Sequence, residues 1–178
     1  MEYIHPYTSP LGGITLASYG EALTGLGFDG QKYFADTLAA EYEERALPIF
    51  DETARWLDLY FSGRRPDFTP PLRMKTTASR RGVWEILLTI PYGETRTYGE
   101  IAARLAAERG LPRMSARAVG AAVGRNAISL LIPCHRVVGA DGSLTGYAGG
   151  IEKKRRLLEL EGVPVADRLV LSANKNMI

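Results

Sequence analysis

The sequence predicts an α+β fold in two lobes: a small N-terminal α+β lobe over residues 1–72, then a mostly helical lobe over residues 73–178 that contains a helix-turn-helix. Three observations predict it. The first 28 residues read as strands, with Ile14-Thr15-Leu16-Ala17-Ser18 alternating beside a turn at residues 9–13. Residues 64–72 hold Pro66, Pro70 and Pro71, too many missing backbone donors for a helix or a central strand, and so read as a connection. Beyond it, apolar residues recur at helical spacing behind two N-cap signals, Thr97 with Glu100 and Ser115.

Taken in order, Ser9-Pro10-Leu11-Gly12-Gly13 is a turn, residues 14–18 alternate, and residues 23–28 return as a hairpin across Tyr19-Gly20-Glu21-Ala22. The run Glu41-Tyr42-Glu43-Glu44-Arg45 reads as a solvated face, and Pro48 as a helix interruption. Asp51 caps a helix to Ser62 with Ala54, Leu57, Tyr60 and Phe61 on one side, and Gly63 ends it. The scattered acids of this lobe and its lone His5 form no chemical constellation. In the second lobe a helix over residues 77–90 turns Val83, Trp84, Leu87 and Leu88 inward and stops at Pro91-Tyr92-Gly93. Thr97 and Glu100 form a capping box, so the next helix starts at Tyr98 and buries Ile101, Ala102 and Leu105. After a loop with Gly110 and Pro112, Ser115 caps a helix to about residue 123, and the pair reads as the helix-turn-helix. A last helix, residues 151–160, follows Gly149-Gly150; its Lys153-Lys154-Arg155-Arg156 reads as a solvated face, and residues 173–178 as a mobile tail.

Composition excludes several classes. No apolar run is long enough to span a membrane, and the N-terminus lacks the basic-then-apolar pattern of a signal peptide. One cysteine forms no internal disulfide, and with two histidines it is too little for a zinc site of the usual composition. The expectation is a cytoplasmic protein without a metal. Charge is uneven: residues 1–74 carry 6 Lys and Arg against 11 Asp and Glu, residues 75–178 carry 16 against 9. A basic second half fits a polyanionic partner, or simply a basic solvated surface.

The chemistry concentrates in Ile132-Pro133-Cys134-His135-Arg136-Val137-Val138 and the glycine-rich stretch after it, which is suited to wrapping closely around a small flat object. A free cysteine is commonly a small buried hydrophobe chosen for packing. A nucleophilic one needs a base to take its proton and cations to favour the thiolate, and His135 and Arg136 supply both types. Neighbours in extended chain point to opposite sides, so a bridging water between Cys134 and His135 fits better than a direct bond. The helix after Ser115 is rich in small residues, Ala116, Ala118, Gly120, Ala121, Ala122 and Gly124. That suits either tight helix packing or close approach to another surface. Arg117 sits in its first turn, where the helix dipole disfavours a cation.

Pro133-Cys134-His135-Arg136-Val137, then Gly146-Tyr147-Ala148-Gly149-Gly150, Leu157-Leu158 and Glu161-Gly162, resemble the O6-alkylguanine-DNA alkyltransferase family. The resemblance continues upstream in Ile90-Pro91-Tyr92-Gly93-Glu94-Thr95, Thr97-Tyr98-Gly99-Glu100-Ile101-Ala102 and Ala116-Arg117-Ala118-Val119-Gly120, and is close over residues 72–162. It implies a ribonuclease-H-like N-terminal lobe and a short active-site strand. It also implies stoichiometric, irreversible alkyl transfer to Cys134 after nucleotide flipping, with no cofactor. The partner implied is double-stranded DNA containing O6-alkylguanine, entered from the minor groove. The resemblance makes Cys134, His135, Glu161 and Tyr98 catalytic, with Glu161 orienting and charging His135. It assigns Arg117, Tyr98, Ala118, Gly120 and Arg125 to DNA, Val137, Tyr147, Ala148 and Arg136 to the base pocket, and Asn126 to a hinge. The segment between Tyr98 and Arg117 is several residues longer than in typical members, and Arg156 replaces a common aromatic. No interface pattern stands out, so a monomer is expected. Two other readings stay open: a non-enzymatic alkylated-DNA-binding or regulatory protein, and a cysteine hydrolase built on Cys134, His135 and Glu161.

Overall fold

The computed structural model describes residues 1–165, and the expected mobile tail lies outside them. The chain is α+β and divides into two compact units: Met1–Lys75 with Ala127–Leu131, and Thr76–Asn126 with the residues from Ile132 onward.

In the first unit β1 (Glu2–Ser9), β2 (Gly12–Ser18) and β3 (Leu23–Phe28) form the expected antiparallel run, and β4 (Tyr42–Glu44) joins β1 in parallel, giving the order β3-β2-β1-β4. The charged run at residues 41–45 is mostly exposed, as expected of a solvated face, and its Tyr42–Glu44 form an edge strand, a place where charge blocks unwanted pairing. Every residue of β3 is buried. Isolated parallel bridges join Leu23 to Leu72 and Leu26 to Ile128, so residues 127–129 run along β3. Gly27 is required there: a Cβ would stand 2.4 Å from the Phe34 ring of α1 (Phe34–Thr37). Pro48 opens α2 (Pro48–Phe61) instead of interrupting it, because a first-turn residue has no intrahelical acceptor for its N–H. The helix thus begins before Asp51. Leu57 and Tyr60 face inward as expected, joined by Ile49, Phe50 and Trp56. Gly63, at φ +83°, follows its end.

The second unit is mostly helical. α3 (Ala78–Leu87) is capped by Thr77, whose side chain accepts from the Arg80 amide. It ends short of residue 90, and Leu88, past its last turn, is 41% exposed instead of buried; Ile86 takes the inward place. α4 (Tyr98–Glu108) has both halves of the capping box: Thr97 accepts from the Glu100 amide, and Glu100 accepts from the Thr97 amide. α5 (Ala116–Gly124) is capped by Ser115. α3, α4 and α5 pack on one another, and the buried Trp84 Nε1 donates to the Ala122 carbonyl at 2.9 Å. Thr97→Ala is expected to destabilise the chain by about 1 kcal/mol, a fall of about 2–4 °C in thermal midpoint, read by thermal unfolding.

A two-stranded parallel sheet, β5 (Arg96–Thr97) and β6 (Val137–Val138), ties the start of α4 to the cysteine segment. α6 (Ile151–Leu160) has the expected bounds. Its Ile151 and Leu158 pack with Val138 and Leu144, and Val163 and Val165 close over them. Among the described residues no helix is long and apolar enough to cross a membrane.

Candidate active site

The chain leaves the helical unit after Asn126 and returns at Ile132. The buried Asn126 ties the two ends together: its Nδ2 donates to the Ile132 carbonyl at 2.8 Å. Pro133 follows, and Cys134–Arg136 is a single turn of 3-10 helix, not extended chain. The expected short strand is confined to Val137–Val138. With three residues per turn, neighbouring side chains in a 3-10 turn point roughly 120° apart. Cys134 and His135, both buried, therefore still look in different directions.

His135 looks toward Glu161, at the end of α6. Its Nε2 lies 2.5 Å from Glu161 Oε2. The other oxygen, Oε1, accepts from Arg136 Nε at 2.8 Å and from the Gly93 amide at 2.9 Å. Arg136 also donates through Nη1 to the Ile90 carbonyl at 2.7 Å, and its guanidinium lies 5.8 Å from the Tyr92 ring centroid. The structure thus commits the Arg136 guanidinium to Glu161 and the Ile90–Gly93 turn, where the family resemblance gave it to the base pocket. A carboxylate at a helix C-terminus is opposed by the helix dipole; here three donors hold it.

Burial alone would push the Glu161 pKa up, but the bonds and charges of His135 and Arg136 outweigh it and hold the group at about 2. Burial pushes the His135 pKa down; Glu161 opposes this, while Arg136 and Lys154 add to it, and the net direction is down. The resting pair is therefore a neutral imidazole on an anionic carboxylate. An ionised carboxylate only accepts, so Nε2 carries the proton and Nδ1 the basic lone pair.

Tyr98, half-buried at the start of α4, donates its hydroxyl to the Thr145 carbonyl at 2.9 Å. Burial raises its pKa against the opposing bond to Thr145, and the net direction is up, so the phenol stays neutral. Gly120 of α5 passes the same ring; a Cβ there would lie 3.8 Å from two ring carbons. Tyr98 thus links α5 to the loop that follows the cysteine segment. The loop after Thr145 turns through Gly146 at φ +61° and Gly150 at φ +98°, with Tyr147 and Ala148 half-buried between them and Val137 fully buried.

On α5, Val119, Ala122 and Val123 are buried, while Ala116, Arg117, Ala118 and Ala121 are exposed and Gly120 is half-buried. Small side chains therefore line the open face of the helix. Arg125, half-buried, is its C-cap. The five DNA candidates lie on α4, on α5 and at the C-cap of α5.

Lys154 is the residue that sequence reading missed. It is fully buried, and its Nζ donates to the Thr145 and Gly146 carbonyls at 3.3 and 3.1 Å. A helical wheel would have found it, since residue 154 falls on the buried stripe of Ile151, Leu157 and Leu158. Among the described residues no cluster of three or more His, Cys, Asp or Glu is placed to hold a metal.

Comparison with known proteins gives a consistent result. The family described as 6-O-methylguanine DNA methyltransferase, DNA binding domain, matches residues 78–163, and its ribonuclease-like domain matches residues 3–74. The methylated-DNA–protein-cysteine methyltransferase of Mycobacterium tuberculosis is 46% identical over 153 residues, 86% of this chain and 88% of that protein. The Haemophilus influenzae protein of the same name is 40% identical over 167 residues, 93% of this chain and 89% of its own length. A solved structure described as Mycobacterium tuberculosis OGT in complex with DNA superposes with a TM-score of 0.79 at 42% identity, covering 95% of this chain and 99% of that one. The chain belongs to the 6-O-methylguanine DNA methyltransferase family.

Proposed function

We propose that the protein repairs alkylated DNA by one irreversible reaction, moving the alkyl group, typically methyl, from O6 of guanine in double-stranded DNA to Cys134. The observation that carries this reading is the buried pair of Glu161 with His135, which stands in the turn that bears the chain's only cysteine. Relatives are named for the same transfer, and a similar solved chain is described in complex with DNA.

The O6 substituent lies within the base stack, so the nucleotide must be extruded before a buried thiol reaches it. α5 approaches the minor groove through its exposed small residues. Ala118 and Gly120 permit the close contact, Arg117 fills the space left by the flipped nucleotide, Arg125 meets the backbone, and Tyr98 crowds the 3′ phosphate. In the pocket the Cys134 and Val137 carbonyls accept from the guanine amino group, and the Tyr147 and Ala148 amides face O6. His135 Nδ1 takes the Cys134 proton through one water, while Glu161 fixes the tautomer and Arg136 fixes Glu161. The thiolate sulfur bonds to the alkyl carbon as the carbon–O6 bond breaks. The electron pair leaves with guanine, which is protonated at its base edge with help from Tyr98. Asn126 anchors the hinge between α5 and the cysteine turn. The product is a thioether with no leaving group of use, so each chain reacts once, as a monomer in the cytoplasm. Substrate and thiol are the only reactants, and no cofactor enters.

The test is intact-protein mass after incubation with duplex DNA carrying one O6-methylguanine, followed by peptide mapping. The expected result is one methyl in place of one hydrogen per chain, confined to the Cys134 peptide. Tight lesion binding with no gain in mass would overturn the transferase reading.

A further inference from the structure

Lys154 is a cation sealed inside the protein, and the reaction outlined above gives it no task. Its ammonium donates to two backbone carbonyls, Thr145 and Gly146. It lies 6.0 Å from the Tyr98 ring centroid, and among the described residues no carboxylate pairs with it. Burying an ammonium against neutral acceptors alone is costly. A hydrophobic side chain would fill the same stripe between Ile151 and Leu157 without that cost.

The surroundings indicate what the charge does. The Thr145 carbonyl accepts from both Tyr98 Oη and Lys154 Nζ, so the two side chains clamp the start of the loop that carries Tyr147 and Ala148. Two further titratable groups, Cys134 and His135 on the 3-10 turn, interact with the amine. The negative charge of Glu161 is already taken by His135 and Arg136. Cys134 is the group whose negative form acts on the Lys154 charge. Burial holds the Lys154 pKa down at about 8, and Cys134 opposes that fall. Lys154 also disfavours protonation of His135, which keeps that ring neutral at rest.

We propose that Lys154 is a positioning residue for the transfer: its buried charge holds Cys134 in the thiolate form, and its two hydrogen bonds fix the Thr145–Gly146 end of the base-receiving loop. This rests on Cys134 being the acceptor, and it adds a counter-charge that lies twenty residues from the cysteine along the chain. No proton or bond is exchanged with Lys154; it acts through Cys134 and the loop.

The experiment reads the thiol directly. The rate of Cys134 alkylation by iodoacetamide, without DNA, is followed against pH for the wild-type chain, Lys154→Gln and Lys154→Arg. Glutamine keeps a donor for the carbonyls and loses the charge; arginine keeps the charge. Lys154→Gln is expected to move the midpoint up by about 1 unit or more and to slow methyl transfer from DNA in proportion to the thiolate fraction lost, up to about tenfold per unit where the pH lies below the midpoint. Lys154→Arg is expected to retain the wild-type midpoint. A folded Lys154→Gln with the wild-type midpoint would overturn the proposal. A measurement needing no lysine variant guards against misfolding: the Lys154 ammonium is titrated by NMR before and after capping Cys134 with iodoacetamide. Capping removes the thiolate charge and is expected to lower the Lys154 pKa, whereas an unchanged value overturns the coupling. These readings use no DNA, so they stand even if the wild-type chain takes no methyl group from a lesion.

Discussion

Glu161→Ala is expected to destabilise the protein by about 3–5 kcal/mol, the usual result of removing one partner from a buried charged pair. It is also expected to slow alkyl transfer by a factor on the order of 10²–10⁴, the scale of a general base. The two effects share one origin. Alanine leaves the Arg136 Nε and the Gly93 amide without their acceptor and frees His135 to adopt the other tautomer. Glu161→Gln separates charge from shape: its carbonyl oxygen still accepts, but its NH2 meets a donor on whichever side it faces. The pH dependence identifies the charge. Glu161 has a folded pKa of about 2 against an ordinary 4.5, so its stabilisation is full above 4.5 and is lost as pH falls toward about 2. His135 has the same sign: its folded pKa lies below 6.5, so the unfolded chain takes up the proton first and stability starts to fall below that value. Urea unfolding of wild type and Glu161→Gln from about pH 7 down to about pH 3 should show the gap between them closing with acid. A Glu161→Ala chain within about 1 kcal/mol of wild type at neutral pH would mean the pair is not buried as described.

Features set by neighbours in sequence were legible before the structure. The Thr97–Glu100 box, the Ser115 cap and the bounds of α6 depend on residues three or four apart, and each stands where the sequence placed it. What was not legible depends on distant partners. β4 is a strand only because Tyr42–Glu44 lie beside Glu2–Ile4, and nothing in an acidic run announces that. Arg136 reaches the Ile90 carbonyl 46 residues away, and the Gly93 amide reaches Glu161 across 68. The role of that arginine beside its carboxylate was therefore hidden, although both residues were singled out. Lys154 is a different case: its helical position was readable, but four consecutive cations drew the reading toward a solvated face. Burial then gives Lys154 and its neighbour Arg155 unlike surroundings, one enclosed and the other ion-paired on the surface with Glu152 and Glu159.

Cys134→Ala is expected to abolish alkyl transfer completely while leaving preference for the damaged duplex intact. The sulfur is the only atom that bonds to the alkyl carbon, so no residual rate should remain. Recognition is assigned to other groups: the exposed face of α5, the Tyr98 ring, and backbone atoms of residues 134, 137, 147 and 148, which alanine at position 134 retains. The side chain is buried and small, so the fold should lose only about 1 kcal/mol. Affinity for duplex with one O6-methylguanine, relative to unmodified duplex, should stay within about threefold of wild type, under 1 kcal/mol. The same measurements separate the competing readings. A cysteine hydrolase would release the alkyl group and turn over, so wild type under excess lesion would pass one equivalent. A damage-binding or regulatory protein would leave the lesion intact with or without the sulfur. Only a stoichiometric transferase stops at one alkyl group per wild-type chain and then, without its sulfur, holds the lesion unrepaired. Loss of lesion preference in a folded Cys134→Ala chain would place recognition on the sulfur itself and contradict the division of labour between α5 and the cysteine turn.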